Sequence, residues 1–132
     1  MIDTSAMVAA LVANHEHHEV ARPHLSRTTK VPAIVLTETY AQLRRTFNQQ
    51  AGAATRLLVP WTESPSQVLP TTSAAVCSVF ARAVELDLGG NIHDALIAET
   101  CIQHETGLVT LDRRQHRIAL ALGAVSTYLL AP

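Results

Sequence analysis

Apolar residues along the chain alternate between dense short runs and spaced stripes, with Pro, Gly and Asn marking the breaks between them. Met1–Asp3 reads as a very short first strand. It is followed by a helix from about Ser5 to Ala13, where small and branched apolar residues crowd together. His15–Leu25 reads as a loop and a second short helix, and Lys30–Val31 as a second strand stopped by Pro32. Proline lacks an N–H that a first helical turn would leave unpaired anyway, so Pro32 suits the start of a helix running to about Gln50. Ala51–Leu58 predicts another helix. Between Pro60 and Pro70 three prolines make the chain irregular apart from a short strand around Val68 and Leu69. Thr72–Asp87 predicts a helix with Val76, Val79, Phe80 and Val84 on one face, ended by Gly89 and Gly90. Asn91 is a suitable N-cap for Ile92–His104, whose inward stripe is Asp94, Ile97, Ala98 and Cys101, so a carboxylate leads an otherwise apolar face. After Gly107, Leu108–Asp112 is short and apolar like a buried parallel strand. A short helix near Gln115–Leu122 and a final strand around Ala124–Leu130 complete the pattern. Alternation of this kind predicts an α/β domain with a mainly parallel sheet.

At 132 residues the chain has room for one domain, spanning 1–132, so every functional residue shares one small scaffold. Hydrophobic residues make up 48% and charged residues 16%, with no block of like charge, which excludes a disordered tail and implies a real core. The longest apolar stretches, Ala6–Ala13 and Ile118–Val125, fall far short of the ~20 residues of a membrane-spanning helix. Asp3 stands at the start and no cation precedes Arg22, unlike a secretory signal, so the expected location is the cytoplasm. Cys77 and Cys101 are widely spaced and lie outside any CxxC pattern, and are expected to be reduced, buried small hydrophobes. The net charge of −1 provides no general footprint for nucleic acid. Nine of the ten basic residues are nonetheless arginines, with Lys30 the exception, and the guanidinium fork suits bidentate phosphate contacts.

The candidate chemistry lies in four dispersed carboxylates. In a parallel α/β sheet, ligands collect at the carboxyl ends of the strands. Asp3 closes the first expected strand and Asp112 the fourth, so the two meet at one edge if those strands are neighbours. Asp94, in the first turn of its helix, and Glu38, on the helix after the second strand, can reach the same edge. Gathered acids repel one another and burial raises their pKa values unless cations neutralise them. Hard oxygen donors suit Mg²⁺ or Mn²⁺, which can activate water and hold the oxygens of a phosphodiester. Each acid alone also has a plain structural use: Asp94 in a capping box, Glu38 as an ordinary helix acid, Asp3 as a helix cap, Asp112 at a turn.

Four motifs in order, Met1-Ile2-Asp3-Thr4-Ser5, Leu36-Thr37-Glu38, Ile92-His93-Asp94-Ala95-Leu96-Ile97-Ala98 and Leu108-Val109-Thr110-Leu111-Asp112, resemble the PIN-domain family over essentially the whole chain. The likeness is to the VapC-type toxins of bacterial type II toxin–antitoxin pairs. That resemblance implies a metal site of Asp3, Glu38, Asp94 and Asp112 supported by Ser5 and Thr110, and an Mg²⁺- or Mn²⁺-dependent endoribonuclease acting on a cellular RNA. It further implies a homodimer and inhibition by a cognate antitoxin. The implied fold is a three-layer α/β/α arrangement around a parallel sheet of about five strands in the order 3-2-1-4-5. One departure stands out: many relatives carry a second acid two positions after the residue matching Asp112, where this chain has Arg114.

His15, His17 and His18 with Glu16 and Glu19 fit neither HExxH nor its inverse and read as a solvated loop. His93 adjoins Asp94, but neighbouring helix residues point about 100° apart, which argues against a shared ligand role. Arg113, Arg114 and Arg117, and Arg44 and Arg45 farther back, are candidate RNA phosphate contacts, with ordinary surface arginines the equal alternative. Phe80 is assigned to the core, and Trp61 is open to a dimer face. Two other functions share the acidic pattern. A catalytically silent PIN-like domain would bind RNA or antitoxin without holding metal tightly. A phosphate-accepting regulatory or phosphatase domain would need a second acid near Asp3 and a late lysine, and the chain has neither.

Overall fold

A computed structural model describes residues 1–131. Seven α-helices and four short strands follow the order α1 (Thr4–Leu11), α2 (His18–Ala21), β1 (Val31–Pro32), α3 (Ala33–Arg45), α4 (Ala51–Thr62), β2 (Val68–Leu69), α5 (Ser73–Arg82), α6 (Ile92–Gln103), β3 (Leu108–Thr110), α7 (Arg113–Leu122) and β4 (Ser126–Tyr128) among the described residues. Helix α1 packs against both α2 and α3, and α3 against α4; α6 packs against both α5 and α7. The strands touch both groups: β3 meets α1 and α7, while β1 meets α3 and α6. The chain is therefore an α/β domain with helices on either side of its extended segments, as the alternating pattern predicts.

The expected five-stranded sheet is not continuous. β1 pairs in parallel with β2, and β3 with β4, as two separate ladders. The first segment contributes a single parallel bridge between Ile2 and Val109, with the Asp3 N–H donating to the Val109 carbonyl at 3.0 Å and the Val109 N–H to the Met1 carbonyl at 2.9 Å. Three of the four adjacencies in the order 3-2-1-4-5 are thus present, and the one missing is between β1 and the Ile2 segment. Two local causes act there. Asp3 already caps α1, which ends the first extended segment, and Pro32 has no N–H to donate to a further neighbour.

One buried core runs through most of the elements. α1 buries Ala6, Met7, Val8, Ala9 and Ala10 together, as a helix enclosed on nearly all sides does. Ile2, Met7, Val31, Val35, Trp61, Val79, Ile97 and Leu108 belong to one continuous buried cluster. α3 stops at Arg45 rather than near Gln50 because Asn48 turns left-handed at φ 52°, and the Gln49 N–H closes back on the Leu43 carbonyl at 2.9 Å. α4 runs on to Thr62 instead of stopping at Leu58, and carries Pro60 in its last turn.

Several apolar assignments change. α5 ends at Arg82, five residues early, and the chain turns so that Leu88 is buried. The turn leaves Phe80 63% and Val84 95% exposed, so neither is core. Trp61 is buried and its indole N–H donates to the Thr29 carbonyl at 2.7 Å, which removes it from any free surface. Cys101 is buried as expected, whereas Cys77 is exposed. Asn91 precedes α6 without a side-chain capping bond.

Candidate active site

The site is built outward from Asp3. The bridge between Ile2 and Val109 sets the two chain segments side by side, so that Asp3 and the end of β3 share one edge. Asp3 is 3% exposed and caps α1, accepting the Ala6 N–H at 2.9 Å. The Ser5 hydroxyl lies 2.8 and 2.9 Å from its two carboxylate oxygens, and the Thr110 hydroxyl donates to Oδ2. These two hydroxyls also organise the β3 end. Ser5 Oγ accepts the Leu111 N–H at 3.0 Å, and Thr110 Oγ1 accepts the Asp112 N–H at 2.9 Å. Both supporting residues expected from the sequence therefore connect Asp3 to the Asp112 loop.

Asp112 caps α7, its Oδ1 accepting the Arg114 N–H at 2.8 Å and the Gln115 N–H at 3.4 Å. Asp94 stands in the first turn of α6, and its backbone carbonyl accepts Gln115 Nε2 at 2.9 Å, which ties α6 to α7. Glu38 projects from α3 and accepts the Thr4 hydroxyl at 3.3 Å. Thr4 and the fully buried Gln115 were missed in the sequence. A threonine next to Asp3 and a glutamine in an amphipathic helix carry no distinguishing signal there.

Charge couples the acids. Burial pushes the Asp3 carboxyl up from 3.8 to about 6 against its hydrogen bonds, and the Asp112 charge adds to the rise. Burial also raises Glu38 and Asp94, with Asp94 acting on Glu38 and Asp112 acting on Asp94. The opposing influences are the Thr4 hydroxyl on Glu38, the Arg114 guanidinium on Asp94, and His93, which lowers both.

The donor set is entirely hard carboxylate and hydroxyl oxygen, which fits a divalent Mg²⁺ or Mn²⁺ in chemistry. The acids stand open, however: among the described residues no three His, Cys, Asp or Glu side chains converge tightly enough to enclose an ion. Arg114 spans two of them, with Nε 3.6 Å from Asp94 Oδ2 and Nη2 4.0 Å from Asp112 Oδ2. Of the other arginines expected near the acids, Arg113 lies over the Tyr128 ring at 5.6 Å, and Arg117 lines a pocket with Leu86, Leu88, Ile118 and Ala121. The histidine-rich segment forms no metal cluster: His18 Nδ1 is 2.9 Å from the Ala9 carbonyl, and His17 accompanies Glu16 at 3.6 Å.

Fold and site together define a class of protein, a small α/β domain with Asp3 and Asp112 just past parallel extended segments and Glu38 and Asp94 on helices. Residues 1–120 match the PIN domain family model, and the chain belongs to that family. A chain in the solved structure of FitAB bound to an IR36 DNA fragment is similar to this one with a TM-score of 0.66 at 17% sequence identity, covering 99% of this chain and 95% of that one. At that identity the likeness is one of fold. No curated protein matches the chain in sequence.

Proposed function

We propose that this PIN domain is a metal-dependent endoribonuclease, the toxin of a toxin–antitoxin pair. The observation that supports the reading is a chain of charge effects in a PIN-family fold, Asp112 on Asp3 and on Asp94 and Asp94 on Glu38, which links acids from four separate elements. Isolated caps would not need to raise one another's pKa, and a cluster of acids destabilises a fold unless something cationic uses it.

Asp3, Asp94 and Asp112 would hold Mg²⁺ or Mn²⁺, with Glu38 beside them. When bound, the metal lowers the pKa of a coordinated water and offsets charge on the scissile phosphodiester. The protein's own part is orientation. Ser5, Thr110 and the Ala6 N–H leave Asp3 no freedom to turn, and the capping bonds to Asp112 Oδ1 leave its Oδ2 without a hydrogen bond. Glu38 has one hydrogen bond and a pKa raised by burial, which suits it to take the proton from the attacking water. Arg113, exposed at the start of α7, is the arginine best placed to meet RNA phosphate. Resemblance to VapC-type toxins adds a homodimer, a cognate antitoxin and a cytoplasmic setting to the proposal. No helix of the described residues is long and apolar enough to cross a membrane.

The test is cleavage of total cellular RNA by purified, antitoxin-free protein in Mg²⁺ or Mn²⁺. Discrete fragments that vanish with EDTA and in Asp94→Asn are expected. Folded protein that leaves RNA intact under every metal condition would refute the proposal in favour of a silent binding domain.

A further inference from the structure

Among the described residues, Arg114 is the one side chain that forms ion pairs with two of these acids. It follows two residues after Asp112, its backbone N–H is held by Asp112 Oδ1, and its guanidinium turns back to Asp94 Oδ2 and Asp112 Oδ2 at 3.6 and 4.0 Å. Asp112 Oδ2 is the oxygen that the capping bonds leave free, and the Asp94 carboxylate makes no capping bond. The guanidinium is planar, permanently charged and more weakly hydrated than an ammonium, so it can neutralise paired carboxylates without binding them tightly. At these separations, and with the Arg114 side chain 65% exposed, the ion pairs are loose and breakable.

We propose that Arg114 is a tethered competitor of the divalent cation: it neutralises Asp94 and Asp112 in the metal-free protein and must leave them when metal binds. This rests on the metal-site reading above and goes beyond it by assigning Arg114 to the resting site rather than to RNA. It also accounts for how two mutually repelling acids persist side by side in the metal-free fold. The cost is a metal affinity lower than the same acids would show without it.

The probe is Mn²⁺ alone, titrated without RNA into the full chain and followed by the electron paramagnetic resonance signal of free Mn²⁺. Wild type is expected to bind Mn²⁺, and Asp94→Asn to lose most of that binding. Arg114→Gln should bind about two- to fivefold more tightly, the range expected from removing one loose ion-pair competitor. Arg117→Gln removes the same charge from the next turn of α7 and should shift affinity less than about twofold, since exposed charges act weakly at a distance. In wild type, the Arg114 Nε resonance should also move as Mg²⁺ is added. Affinity in Arg114→Gln equal to or weaker than wild type, with Asp94→Asn still deficient, would overturn the competitor role and leave the metal site standing. An equal gain in Arg117→Gln would overturn it too, by reducing the effect to net charge. Mn²⁺ binding indifferent to Asp94→Asn would instead overturn the metal-site reading and the competitor with it.

Discussion

At the scale of single residues, Asp3 carries the sharpest energetic signature. Its carboxyl has a pKa of about 6 in the folded protein against 3.8 ordinarily, so the folded state binds that proton more tightly than the unfolded chain does. Its contribution to stability is therefore complete below about pH 4 and is lost as pH rises through about 6, a difference on the order of 3 kcal/mol. Metal-free protein should accordingly lose stability between pH 5 and 7 more steeply than Asp3→Asn does, which chemical denaturation at both pH values measures. Equal pH dependence in the two proteins would show that Asp3 is charged at little expense. Because metal must displace the same proton, Mn²⁺ should bind more weakly at pH 5 than at pH 7. Thr110 stands behind Asp3. Thr110→Val removes the hydroxyl that donates to Asp3 Oδ2 and accepts the Asp112 N–H, and should lower stability by about 1–3 kcal/mol.

At the scale of elements, helix ends and catalytic candidates coincide. Asp3 caps α1, Asp112 caps α7 and Asp94 sits in the first turn of α6, so the structural and the chemical uses of these acids are not alternatives. For Asp112 the two uses can be separated. Asp112→Asn keeps a side-chain oxygen for the Arg114 and Gln115 N–H groups and should hold stability within about 0.5 kcal/mol while abolishing cleavage. Asp112→Ala should lose activity and about 1 kcal/mol of stability besides. Comparable unfolding midpoints for the two variants would contradict the capping role. Helices with capping residues or clear stripes, α1, α6 and α7, were legible in the sequence to within a few residues. The end of α5 was not, because whether the chain buries Val84 or Leu88 is decided by tertiary packing after Arg82.

At the scale of the molecule, the alternation of helical and extended segments announced an α/β domain, while the strand order came only from the family resemblance, and three of its four adjacencies are present. The continuity of the sheet was not recoverable. Strands of two or three residues lack the length to impose a ladder, and backbone demands at Asp3 and Pro32 break it locally. Among the candidate site residues, the four acids stood in ordered motifs, and the family resemblance added Ser5 and Thr110. Gln115 and Thr4 act through contacts between elements far apart in sequence, which no local pattern records. The ion pairs of Arg114 were likewise hidden: from sequence it was a candidate phosphate contact standing where many relatives carry an acid, and only the turn of α7 directs it back onto Asp94 and Asp112.

Single-turnover cleavage of a labelled RNA substrate in Mn²⁺, comparing wild type with Asp3→Asn, Glu38→Gln, Asp94→Asn and Asp112→Asn, each shown to be folded, bears most directly on this reading. Loss of a hundredfold or more in every variant is expected, on the order of the effect of removing one catalytic group from a preorganised site. Cleavage at the wild-type rate by folded Asp94→Asn and Asp112→Asn would mean that the gathered acids are helix caps and that the nuclease, if there is one, lies elsewhere.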